Sequence, residues 1–118
     1  MEKQSKEAML TSAFVAIVQN MNFNDSQINK MLGVDESYMN QLRSQEKLLE
    51  IKNSQGKAVA QFIRIMNSLF SLVGYKEAEA INWLNKENKA FDNRKPVDIL
   101  QEEDGLSKVA TYLKESSH

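Results

Sequence analysis

The chain has no cysteine, one proline, four glycines and one histidine in 118 residues, and each scarcity removes a class of chemistry. Without cysteine there is no disulfide, no thiolate metal site and no thiol nucleophile. Gly33, Gly56, Gly74 and Gly105 stand alone, so no glycine-rich loop exists to cradle a phosphate. The one histidine is His118, the last residue, and chain ends are poor places to hold a catalytic or metal-binding imidazole. The acidic run Glu102, Glu103, Asp104 has consecutive side chains that point apart, with no histidine to join them. It reads as a solvated loop that also places negative charge at the start of the last helix. No catalytic residue, no metal site and no cofactor are expected, and an enzyme is not the expected class. No apolar run approaches the roughly 18 residues of a membrane span, and the opening MEKQSKEAML lacks the apolar core of a signal peptide. A cytoplasmic protein that does not contact membrane is the expectation.

An excess of either charge is also missing. The net charge is −1, with seven acidic and five basic side chains up to residue 50 and ten basic and nine acidic after it. A protein that neutralises many phosphates needs a lysine- and arginine-rich face, since counterion release supplies most non-specific affinity for nucleic acid. Neither half provides one, so DNA binding is a weak expectation.

What is present is a succession of helical stripes. Ser5 is placed to cap a first helix to about Asn20, with Met9, Leu10, Ala13, Phe14, Ile17, Val18 and Met21 on its apolar face. Asn24 or Asp25 caps a second helix through Met31, Gly33 allows a left-handed turn, and Asp35 caps a third helix to Arg43 or Lys47. Ile28, Leu32, Val34, Met39 and Leu42 close that unit's core. The stretch LEIKNSQG reads as a short connection. From Lys57 to Val73 the side chains Val59, Phe62, Ile63, Met66, Leu69, Phe70 and Val73 recur at helical spacing, and Gly74 ends the run. Tyr75 then opens the next helix, with Ala78, Ile81 and Leu84 on its apolar stripe. Asn85 to Lys95 is a polar loop with Phe91 as its anchor. Pro96 suits the first position of a short helix through Leu100, because its fixed φ and missing amide hydrogen cost nothing there. Asp104-Gly105 breaks the chain before a last stripe of Leu106, Val109, Ala110 and Leu113. No strand-like alternation is present, so the fold class is all-α: an N-terminal helix-turn-helix-like unit (1–52) packed with a C-terminal helical domain (55–118). Methionines other than Met1 sit at core spacings and are expected to fill it. Trp83 suits either a core or an interface, and core is the preferred placement.

Two patterns carry a resemblance. NDSQINKMLGVDESYMNQLRSQ is similar to the helix-turn-helix of the Xre class. The order Leu69-Phe70, Ala78, Trp83-Leu84, Asn88, Ala90-Phe91, Pro96, Leu100, Gly105, Val109 resembles the C-terminal domain of the Xre/MbcA/ParS antitoxins over about Asn67 to Leu113. The resemblance implies a homodimeric antitoxin that clamps a RES-type, NAD-targeting toxin, blocks its cleft and in many cases represses its own operon. The family usually has a glycine pair before the proline with Ser or Thr just ahead of it. Here Asn93 is able to take the left-handed conformation, whereas Lys95 has no side-chain oxygen with which to cap the Pro96 helix. By the family pattern the toxin-binding candidates are Asn93, Arg94, Lys95, Lys108, Tyr112, Lys114 and Glu115, with Arg94 and Lys95 suited to acidic groups around an NAD pocket. For a third helix in a DNA groove, the candidates are Ser37, Tyr38, Asn40, Gln41 and Arg43, behind Asp35 and Glu36. Three functions remain in play: an antitoxin, a DNA-binding regulator acting alone, and a helical interaction module with another partner.

Overall fold

Ser5 accepts a hydrogen bond from the Ala8 amide at 3.1 Å, and this cap opens α1 (Lys6–Asn20) in the computed structural model, which describes residues 5–116. Met1 and His118 lie outside the described residues. The chain divides into two compact units, Met1–Ile63 and Arg64–His118, and the division falls inside α4 (Ser54–Leu72) rather than at the connection before it. All regular structure among the described residues is helical.

In the first unit, α2 (Asp25–Leu32) begins with a reciprocal cap. The Asn24 side chain accepts from the Gln27 amide at 2.8 Å, and the Gln27 side chain accepts from the Asn24 amide at 2.9 Å, which satisfies two otherwise orphaned donors. Gly33 turns the chain at φ 70°, and Asp35 accepts from the Tyr38 amide at 2.8 Å to start α3 (Glu36–Arg43). α3 packs on α1 and α2. Ile28, Leu32, Val34, Met39 and Leu42 are all buried, as the spacing predicts, and Phe14 and Phe23 meet Phe62 edge-on at 5.9 and 5.4 Å. Each such side chain contributes about 1.5–3 kcal/mol when fully withdrawn from water. Thr11 is the buried polar residue here. Its hydroxyl donates to the Glu7 carbonyl and accepts from the Leu49 amide, so the connection after α3 is tied to α1 without an unpaired group.

Some expectations need correction. Met9, assigned to the core face of α1, is 58% exposed, and Ala13 is exposed too. α4 starts at Ser54, three residues before the expected Lys57, because Asn53 accepts from the Gly56 amide at 2.8 Å and acts as its cap. Gly56 therefore sits in the first turn of a helix, not in a linker, and a Cβ there would lie 1.8 Å from the Glu50 carbonyl oxygen. Along α4, Val59, Phe62, Met66 and Leu69 are buried, but Ile63, Phe70 and Val73 are only half-buried, and Ile65 is buried in their stead. The apolar residues form one broad face, with Ile63 and Phe70 at its edge, so their spacing alone does not say which part of that face is covered.

In the second unit, Gly74 and Tyr75 both take positive φ, and α5 is Glu77–Asn85. Tyr75 thus belongs to the turn and is 76% exposed. Ala78 is exposed, while Ala80 and Leu84 are buried. α6 (Pro96–Leu100) has the proline at its first turn, and it packs against both α5 and α7 (Gly105–Ser116). Pro96, Val97, Ile99, Leu100, Val109 and Leu113 are buried, and these two helices fix the geometry of the surface described next.

Candidate functional site

The polar loop after α5 is folded around Asn88. Its side chain accepts from the Ala90 amide at 2.9 Å, its amide donates to the Arg94 carbonyl at 3.1 Å, and its carbonyl accepts from the Asn93 amide at 3.0 Å. A single turn of 3-10 helix, Lys89–Phe91, follows. The reversal needs two left-handed residues, Asp92 (φ 57°) and Asn93 (φ 63°). Asp and Asn tolerate that conformation better than other non-glycine residues. Asn93 behaves as the sequence predicts, and Lys95 precedes α6 with no side-chain cap.

This loop presents Phe91 to Trp83 of α5 and Tyr112 of α7. Trp83 stacks on Tyr112 at 6.0 Å between ring centroids, and Phe91 meets Trp83 and Tyr112 edge-on at 6.3 and 5.2 Å. All three rings are half-buried. Trp83 is therefore not a core side chain, as preferred from sequence, but a member of an aromatic cluster at the surface.

Beside the cluster lies an open groove of about 610 Å³, with Phe91, Ile99, Thr111 and Tyr112 on its walls. Arg94 and Glu102, both in the groove lining, form a hydrogen-bonded ion pair, and Lys108 Nζ stands 4.0 Å from the other oxygen of the same carboxylate. The guanidinium's hydrogen bond is the main influence that holds the Glu102 carboxyl below its ordinary value of 4.5, and the same contact raises Arg94. The sign of the linkage follows. A depressed carboxylate stabilises the fold above the ordinary value and loses that contribution as pH falls through the lowered one. Acidification through that lowered value is expected to free the Arg94 side chain while the Asn88 hydrogen bonds keep the loop, with a small effect on global stability because the pair is solvent-screened. A pH titration of the Arg94 side-chain resonances checks this. The transition should disappear in Glu102→Gln, and a wild-type transition at or above the ordinary carboxylate value would contradict the pairing.

Four of the seven toxin-binding candidates, Arg94, Lys108, Tyr112 and Glu115, line this groove, whereas Asn93, Lys95 and Lys114 do not. Asn93 and Lys95 are exposed, and Arg94 between them is paired with Glu102. Glu102, assigned from sequence to a solvated loop, is the residue missed. Its partners Arg94 and Lys108 lie on either side of the α6–α7 turn, and no short-range spacing announces the contact.

The DNA-binding candidates belong to the first unit. Ser37 is exposed, Tyr38 and Gln41 are half-buried, and these three line a shallow pocket with Asp35 and Glu50. Burial, aided by Glu50, raises the Tyr38 phenol. Arg43 is held by Asp25 at 2.5 Å and by the Asn40 side chain at 3.0 Å. No group of three or more His, Asp or Glu side chains among the described residues is arranged to hold a metal ion. No helix among them is long and apolar enough to cross a membrane.

Every residue of the aromatic groove falls inside one stretch that matches a known family. Residues 68–115 match the antitoxin Xre/MbcA/ParS C-terminal toxin-binding domain. No curated protein matches the chain. The toxin-binding-domain match covers the end of α4, α5, the Asn88 loop, α6 and nearly all of α7.

Proposed function

We propose that the chain is the antitoxin of a toxin–antitoxin pair and that it silences its partner by steric occlusion, with the groove lined by Phe91 and Tyr112 as the contact surface. The observation that carries this reading is the coincidence of the groove with the matched toxin-binding stretch: its lining runs from Ala90 to Glu115. A half-buried aromatic cluster beside a groove has the anatomy of an interface anchor, since Tyr and Trp supply large, stiff contact area with a polar edge. In this reading the toxin is of the RES class, the antitoxin is a cytoplasmic homodimer, and no chemistry by this chain is required, as the resemblance implies.

The α2–turn–α3 segment lends less support to operon repression or to a regulator acting alone. Asp35 and Glu36 stand at the leading end of α3, and Asp25 neutralises Arg43, the cation on that helix. A helix entering a DNA groove with that charge pattern gains little from phosphates.

The test is co-expression with the product of the adjoining reading frame. Relief of growth arrest is expected for the wild type, and Thr111→Trp, which fills the groove from an exposed position of α7, should abolish it while leaving the thermal midpoint within a few degrees. Full relief by the filled variant would exclude the groove as the contact surface.

A further inference from the structure

The groove's polarity is opposite to the one its cations suggest from sequence. Four carboxylates line it, Asp92, Glu102, Asp104 and Glu115, against two cations, Arg94 and Lys108. Both cations are already directed at Glu102. Asp104 and Glu115 make no ion pair among the described residues. They stand at opposite ends of α7, about 16 Å apart along the axis at 1.5 Å per residue. Between them α7 lines the groove with Ser107, Lys108, Thr111 and Tyr112, and Phe91 meets Tyr112 there. The carbonyl end of α7 adds partial negative charge near Glu115.

We infer that this groove takes a cationic, amphipathic segment of the partner protein. Its Lys or Arg side chains are received by Asp104 and Glu115, and an aliphatic or aromatic side chain between them is laid against Phe91 and Tyr112. An extended stretch of about five residues spans that separation at roughly 3.3 Å per residue, so the segment is short. The aromatic faces suit the same occupant, because a cation over the face of Tyr or Trp is attracted by the ring quadrupole. An anionic segment would meet a surplus of two negative charges and would have to draw Arg94 or Lys108 away from Glu102 to find a cation. The inference rests on the proposed antitoxin reading only for the identity of the protein that supplies the segment.

The test uses the full chain, isotopically labelled, and two synthetic probes: a short peptide of alternating Lys and Leu, and the same peptide with Glu for Lys. The Lys peptide is expected to shift amide resonances between residues 90 and 115, to bind several-fold more weakly at raised salt, and to lose roughly five- to tenfold in affinity in the double variant Asp104→Asn, Glu115→Gln. Trp83, the one tryptophan, stacks on Tyr112 and gives an independent fluorescence readout. Equal or stronger shifts from the Glu peptide, shifts confined to other residues, or no shift from either peptide at millimolar concentration would overturn the inference. The two readings are separable in cells. If co-expressed chain relieves toxicity, and Asp104→Lys with Glu115→Lys relieves it equally well, the cationic occupant is wrong while the antitoxin reading stands. If the Lys peptide binds as expected but no adjoining gene product is silenced, the groove chemistry stands and the antitoxin reading falls.

Discussion

Gly105→Ala is expected to destabilise the Arg64–His118 unit by about 2–3 kcal/mol, a large share of the roughly 5–15 kcal/mol that holds a domain together. Helix propensity alone argues the other way, since alanine is favoured over glycine in a helix interior by about 1 kcal/mol. Geometry decides the sign. A Cβ on Gly105 would stand 1.8 Å from the Ile99 carbonyl oxygen and 3.1 Å from the Leu100 carbonyl carbon. The obstructing atoms are backbone of α6, which is five residues long and anchored by buried Pro96, Val97 and Leu100, so it cannot yield as the tip of a flexible side chain would. The α6–α7 angle would have to open, and with it the surface that carries Tyr112. Urea unfolding followed by Trp83 fluorescence measures the effect in this unit, because no other tryptophan contributes. Gly74→Ala is the matched control in the same unit. Nothing lies within 4 Å of its added Cβ, and the only penalty is the left-handed φ of 68°. A loss at Gly105 no larger than at Gly74 would mean that the close approach is not a constraint on the fold.

The contrast between these glycines marks what a sequence can reveal. Three caps were legible because they depend on neighbours three residues away: Ser5, Asn24 and Asp35 each accept from an amide three positions on, whereas the Asn53 cap of the same spacing was read as a connection. Pro96 at the first turn of α6 and the left-handed Asn93 were legible too. The all-α class followed from the helical stripes. What was not legible depends on contacts between distant segments. Neither Gly56 nor Gly105 announces that another strand of backbone passes too close for a Cβ. The α4 stripe did not distinguish Ile65 from Ile63, because the apolar face is broad and only tertiary packing selects which part of it is covered. At the groove, Arg94, Lys108, Tyr112 and Glu115 were named individually, yet their arrangement was hidden. The pairing of Arg94 with Glu102 reverses the electrostatic sense of the surface. Trp83, suited equally to core and interface by its chemistry, took its place only when the Asn88 loop brought Phe91 against it.

Truncation of the cluster should therefore weaken partner binding more than any charge change at the rim. Tyr112→Ala removes the ring that touches both other aromatics, at 6.0 Å from Trp83 and 5.2 Å from Phe91, and strips one wall from the groove. Aromatic anchors at the centre of an interface commonly cost 2 kcal/mol or more when cut to alanine, so a loss of about thirtyfold in affinity for the co-expressed toxin is expected. Tyr112→Phe separates ring from hydroxyl. It keeps the stacking and should retain binding within a few-fold. Destabilisation could mimic lost contact, since the ring is half-buried, and thermal unfolding of each variant resolves this. Tyr38→Ala serves as the matched control, a half-buried aromatic in the first unit that lines no part of the groove. If Tyr38→Ala and Tyr112→Ala weaken the complex equally at matched stability, the aromatic groove is not the anchor. If Tyr112→Phe fails as completely as Tyr112→Ala, the hydroxyl rather than the ring carries recognition. That second result would replace an apolar anchor with a directed hydrogen bond, and the partner residue opposite Tyr112 would then be a polar one.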